Sequence, residues 1–172
     1  MKKKYIVANW KMNPAPGDLS AYQPRDDVDV VVFPTFLDLQ TCLDAGLLAG
    51  GQYGHPEDHG AHTGDVSMKM LHDLGCREVL CGHSERRQNH GETDADVAAQ
   101  YAATFDHNLS AIVCVGETAE ERDAGKHKEV VKRQVDAILP YAYEHMCIAY
   151  EPVWAIGTGN TATPQDAEEM HA

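Results

Sequence analysis

Three strings in this chain end an apolar run on side chains able to hold or move a proton. They are ANWKMN (8–13) with Asn9 and Lys11, CGHSERR (81–87) with His83 and Glu85, and AYEPVWAIGTG (149–159) with Glu151. A carboxylate supplies a base, an imidazole exchanges a proton with an oxygen, and an ammonium faces an anion, so together they could move protons on a polar substrate without a metal. Taken singly, each residue has a plainer reading. Glu151 is one of 27 acids that usually sit in solvent, His83 is an ordinary hydrogen-bonded histidine, and Lys11 is a surface lysine. Their weight comes from standing at strand ends of one array, where the connecting loops form a common face.

That array is read from six short β-prone runs: YIVAN (5–9), DVVVF (29–33), LLAGGQY (47–53), EVLCG (78–82), AIVCV (111–115) and MCIAYE (146–151). Helix-like segments separate most of them. After Thr93, Val97, Tyr101 and Phe105 recur at four-residue steps, with Thr93 and Asp96 spaced for a capping box. Val131, Val135, Ile138 and Leu139 repeat the stripe, a short helix is expected over SERR, and Thr163, Pro164 and Asp166 spell another helix start. Continuously apolar strands between amphipathic helices predict an α/β fold on a parallel sheet. Residues 14–28 hold Pro14, Pro16, Gly17 and Pro24, so no long helix is expected there, and the outer faces of strands 1 and 2 should be exposed as an interface. With no repeat or linker, residues 1–172 read as a single domain.

Composition removes several function classes. The 172 residues are 43% hydrophobic and 24% charged, enough for a buried core, and a net charge of −13 argues against a nucleic-acid partner. No run approaches the roughly 18 apolar residues of a membrane span, and the opening MKKKYIVANW turns polar too soon for a signal core, so a cytoplasmic location is expected. Cys42, Cys76, Cys81, Cys114 and Cys147 lack a paired spacing and read as reduced packing residues. His55, His59 and His62 cluster in HPEDHGAH, a possible divalent-ion set. Pro56 and Gly60 make it a loop rather than a helical zinc motif, so no metal and no cofactor is expected.

The three strings, with GAHTGDVS (60–67), VCVGET (113–118) and ATP (162–164), closely resemble the triosephosphate isomerase family. The resemblance covers nearly the whole chain apart from the short first connection. It implies a (β/α)8 barrel, here incomplete with about six βα units, without the seventh and eighth strands that carry the family's phosphate donors. A homo-oligomer or a complementing chain would close it. The activity implied is the interconversion of dihydroxyacetone phosphate and glyceraldehyde 3-phosphate through an enediolate, in glycolysis and gluconeogenesis, with a small phosphorylated triose as the partner.

The family's roles carry over residue by residue. Glu151 matches the base and His83 the electrophile, a neutral imidazole in the family that is the standard example of pKa tuning. Asn9 and Lys11 supply a hydrogen bond and a charge, Glu85 organises Lys11, and Ser84 lies beside the electrophile in the substrate site. Pro152, Val153, Trp154, Ala155, Ile156, Gly157 and Thr158 resemble the closing lid, with the Gly157 N–H as a phosphate donor and Gly157 and Gly159 allowing close backbone approach. Thr63 matches the tip of an interface loop. Two other readings stand beside the enzyme: a non-catalytic assembly or binding module, and another phosphate-sugar isomerase or lyase on the same barrel.

Overall fold

Each of the six apolar runs forms a strand: β1 (Lys4–Asn9), β2 (Val28–Phe33), β3 (Leu48–Gly51), β4 (Glu78–Cys81), β5 (Ser110–Val115) and β6 (Met146–Tyr150). The structure, a computed structural model, describes residues 4–141 and 146–172; the first three residues of MKKKYIVANW lie outside the described residues. Neighbouring strands pair in parallel in sequence order, giving one curled half-barrel of the (β/α)8 class. The helices are α1 (Leu39–Asp44), α2 (Met68–Leu74), α3 (Ser84–His90), α4 (Asp94–Asp106), α5 (Ala119–Asp123), α6 (His127–Ile138) and α7 (Pro164–His171).

Strand alternation builds two cores. Val32, Val79, Cys81 and Val113 point outward and pack with Leu71, Val97, Tyr101 and Ile138. Val31, Phe33, Leu80 and Ile112 point inward and pack together with Ala149. Both faces of β2 to β5 are thereby buried, each filled Val or Leu position contributing about 1.5–3 kcal/mol. Helix starts are set locally. Thr93 with Asp96, Thr118 with Glu121 and Thr163 with Asp166 each close a capping box, and such caps contribute about 1 kcal/mol apiece.

Several expectations need correction. β3 stops at Gly51, not 53, because the Gln52 side chain turns to donate to the Lys11 and Phe33 carbonyls, both at 2.8 Å. Phe105 is exposed while Val97, Tyr101 and Thr104 are buried, since eight residues overshoot two helical turns by about 80°. Leu139 is also exposed, because the chain leaves α6 there for a 3-10 turn. Between β1 and β2 only the 3-10 turn Ser20–Tyr22 forms, and Ile6 on β1 is 48% exposed. The outer face of β2 nevertheless stays covered, with Val28, Val30 and Val32 buried; Leu19 and Tyr22 pack into the outer core beside Trp10, whose ring meets Tyr22 edge-on at 5.2 Å. Cys147 is exposed on β6, so packing describes only the other four cysteines.

Candidate active site

The carboxyl end of β1 bends sharply into the site. Lys11 adopts φ +54, a left-handed conformation uncommon for a residue with a Cβ. Two bonds hold it there: its N–H donates to Asn9 Oδ1 at 2.9 Å and its carbonyl accepts from Gln52 Nε2. The Lys11 ammonium is thereby aimed at Glu85, with Nζ 2.7 Å from Oε1. Both side chains are over a third exposed, so the pair contributes little stability and acts chiefly as a positioning contact.

His83 caps α3 at the end of β4. Its Nδ1 accepts from the Glu85 N–H at 3.2 Å, which places the ring proton on Nε2. Nε2 in turn lies 3.2 Å from Glu151 Oε1. The other Glu151 oxygen accepts from the Ser84 N–H at 3.1 Å. Ser84 is buried, and its amide serves Glu151 in this arrangement. Glu151 reaches this position because its backbone passes directly over Gly116, where a Cβ would sit 1.8 Å from the Glu151 carbonyl oxygen. No other residue type fits at 116.

Asn9, Lys11, Gln52, His83 and Glu85 share the wall of a cavity of about 500 Å³, a size suited to a small ligand. Neither Glu151 nor residues 152–158 line it. Val153–Ala155 form a 3-10 turn tied away to Glu117, through the Val153 N–H to its carbonyl at 3.1 Å and Trp154 Nε1 to its Oε1 at 2.9 Å. The Glu117 side chain is fully buried, and the same oxygen accepts from Arg122 and the Tyr150 hydroxyl, each at 3.0 Å. Arg122 also stacks on the Trp154 ring and pairs with Asp166. Burial, aided by the Glu117 hydrogen bond, raises the Tyr150 phenol above its ordinary value. Gly157 and Gly159 have φ +69 and +83 with nothing near a would-be Cβ, so they serve positive φ and not close approach. Thr63 is exposed at its loop tip.

The structure thus brings Asn9, Lys11, His83 and Glu85 to one cavity, joins Glu151 to them from outside its wall through His83, and leaves Gly157 and the other lid residues outside the cavity. Sequence reasoning missed Gln52 and Glu117. Glu117 carried a signal, an acid at a strand end inside VCVGET, whereas a lone neutral amide such as Gln52 carried none.

A curled parallel sheet with a carboxylate, an imidazole and an ammonium converging at its carboxyl end defines a proton-transfer enzyme on a (β/α)8 scaffold. The model of the triosephosphate isomerase family matches residues 4–172, and the chain belongs to that family. Among its relatives, the triosephosphate isomerase of Alkalilimnicola ehrlichii is 44% identical over all of this chain and 74% of its own length. That of Afipia carboxidovorans is 46% identical over 97% of this chain and 72% of its own, and that of Chloroflexus aurantiacus 44% over 100% and 75%. No helix among the described residues is long and apolar enough to cross a membrane.

Proposed function

We propose that this chain carries out its family's reaction, interconverting dihydroxyacetone phosphate and glyceraldehyde 3-phosphate, with Glu151 as the base. The observation that carries the assignment is the Glu151–His83 contact at 3.2 Å beside a cavity walled by Lys11. Glu151 takes the proton from the carbon next to the carbonyl, and the His83 Nε2–H donates to the oxygen on which charge develops. Lys11 and Asn9 add positive charge and a hydrogen bond, and Glu85 positions Lys11. In the observed arrangement Glu151 is held by Ser84 and His83, so substrate must draw it toward the cavity. Release of Trp154 from Glu117 would free residues 152–158 to cover the cavity and bring the Gly157 N–H toward the phosphate. Residues 1–172 act as one domain in glycolysis and gluconeogenesis, in the cytoplasm, as a homo-oligomer contacting through the loop that exposes Thr63.

The test is triose phosphate turnover by the purified chain beside Glu151→Gln, which keeps the side-chain shape and removes the base. Loss of a general base predicts a fall of about 10²–10⁴-fold in kcat with the fold intact by circular dichroism. Equal rates in the two proteins would overturn catalysis by this chain and favour the binding-module reading.

A further inference from the structure

The catalytic groups leave unused the histidines of the loop between β3 and α2, the same loop whose Thr63 tip is the proposed contact between copies. Here the structure adds what spacing could not: donor atoms of His55, His62 and Asp65 all lie within 4.8 Å of one another. The two imidazoles stack at 3.9 Å between centroids, tilted by 32°. Glu57 Oε2 is 3.3 Å from His62 Nε2. We infer that His55, His62, Asp65 and Glu57 form a binding site for one divalent ion of the zinc type.

The donor set and spacing fit that ion. Imidazole with carboxylate is a zinc-group ligand set, and bonds of about 2.0–2.2 Å place tetrahedral donors about 3.4 Å apart. The His62–Glu57 pair already has that separation; the other donors must close by up to about 1.4 Å, and the two rings must turn out of their stack so that their in-plane lone pairs meet at one ion. Their backbone anchors are in place. His55 is pinned at both sides, its N–H donating to the Val66 carbonyl at 2.8 Å and its carbonyl accepting from Met68 at 3.0 Å. The Asp65 N–H donates to the His62 carbonyl at 3.1 Å, so the last two ligands share one turn. The side chains are half-buried or exposed and can close on an ion without disturbing either core. Glu57, Asp58 and Asp65 line a small cavity here, with no lysine or arginine on its wall. His55 Nδ1 accepts from the Glu57 N–H at 3.1 Å; ligation through that nitrogen would surrender the bond, and the exposed amide would turn to water.

Zinc is titrated calorimetrically into the chelator-stripped full chain, followed by cobalt with visible absorption as the geometric readout. One equivalent of zinc is expected, with a tetrahedral cobalt band. His55→Asn, His62→Asn and Asp65→Asn should each weaken zinc on the order of 10-fold or more. Cys147→Ser, which removes the exposed thiol, should change nothing. Absence of binding, indifference to all three loop substitutions, or loss only in Cys147→Ser would each overturn the site. Circular dichroism of each variant separates loss of a ligand from loss of the fold, and all three substitutions would have to unfold the protein to mimic a specific site.

Discussion

β5 and β6 pair residue for residue from Ala111 with Met146 to Val115 with Tyr150, yet they occupy different environments. β5 is buried from Ala111 onward, whereas β6 is exposed or half-buried along its length, and β1 resembles β6. All three are apolar runs of similar composition. Burial is therefore a property of having a strand on each side and helices on the outer face. The active site spans this divide. His83 rests on the well-packed β4, while Asn9, Lys11 and Glu151 hang from the flanking strands and are placed by polar straps: the Gln52 amide, the Ser84 N–H and the close approach over Gly116.

The sharpest way to break this contrast is a matched pair of truncations. Ile112 on β5 is 3% exposed and Ile148 on β6 is 40% exposed. Ile112→Ala should cost about 2–5 kcal/mol in urea unfolding, and Ile148→Ala about 1 kcal/mol or less. Equal losses would show that β6 is covered in solution, as an oligomer would cover it.

Glu78 probes the boundary from the other end of the sheet. It belongs to β4, but its carboxyl faces a cavity of about 230 Å³ shared with Tyr5 of β1 and Cys147 of β6. Burial pushes its pKa from 4.5 up to about 7, and its Oε2 has no hydrogen-bond partner. Below pH 4.5 the group is protonated whether folded or unfolded and leaves stability unchanged. Between 4.5 and about 7 the unfolded chain ionises first, so this group's contribution falls as pH rises, and the loss is complete above about 7. Glu78→Gln should flatten that part of a stability–pH curve. An unchanged curve would mean that the amino end of the half-barrel is better hydrated than its burial implies.

The smallest effect is read from thiols. Cys42, Cys76, Cys81 and Cys114 are buried, and burial pushes Cys76 up to about 11 and Cys81 up to about 12. Cys147 is exposed, though partial burial and then Glu78 also raise it and slow its attack. A disulfide reagent should label one thiol in the native protein and five after denaturation. Early labelling of a second thiol would show the packed middle opening on its own.

Much of this architecture was legible in the residue order. The strands, the Thr93 and Thr163 caps and the absence of a long helix over 14–28 follow from local propensity, capping chemistry and proline, none of which needs a distant partner. The site residues were legible as types at strand ends. Their partners were not, because Lys11 meets Glu85 across 74 positions and Ser84 meets Glu151 across 67. Phe105 shows the limit of a periodicity read in whole steps, and Val30 shows that a strand face stays buried even where no long helix precedes it.

The sequence by itself determined the parallel α/β alternation, the helix starts and the chemical identity of the proton-handling groups, since these rest on neighbours along the chain. Only the tertiary structure decided which apolar strands are buried, that Glu117 gathers Arg122, Tyr150 and Trp154 on one oxygen, and that His55 stacks on His62. Those outcomes depend on contacts between distant segments, whose geometry exists only once the sheet has curled and its loops have been pinned.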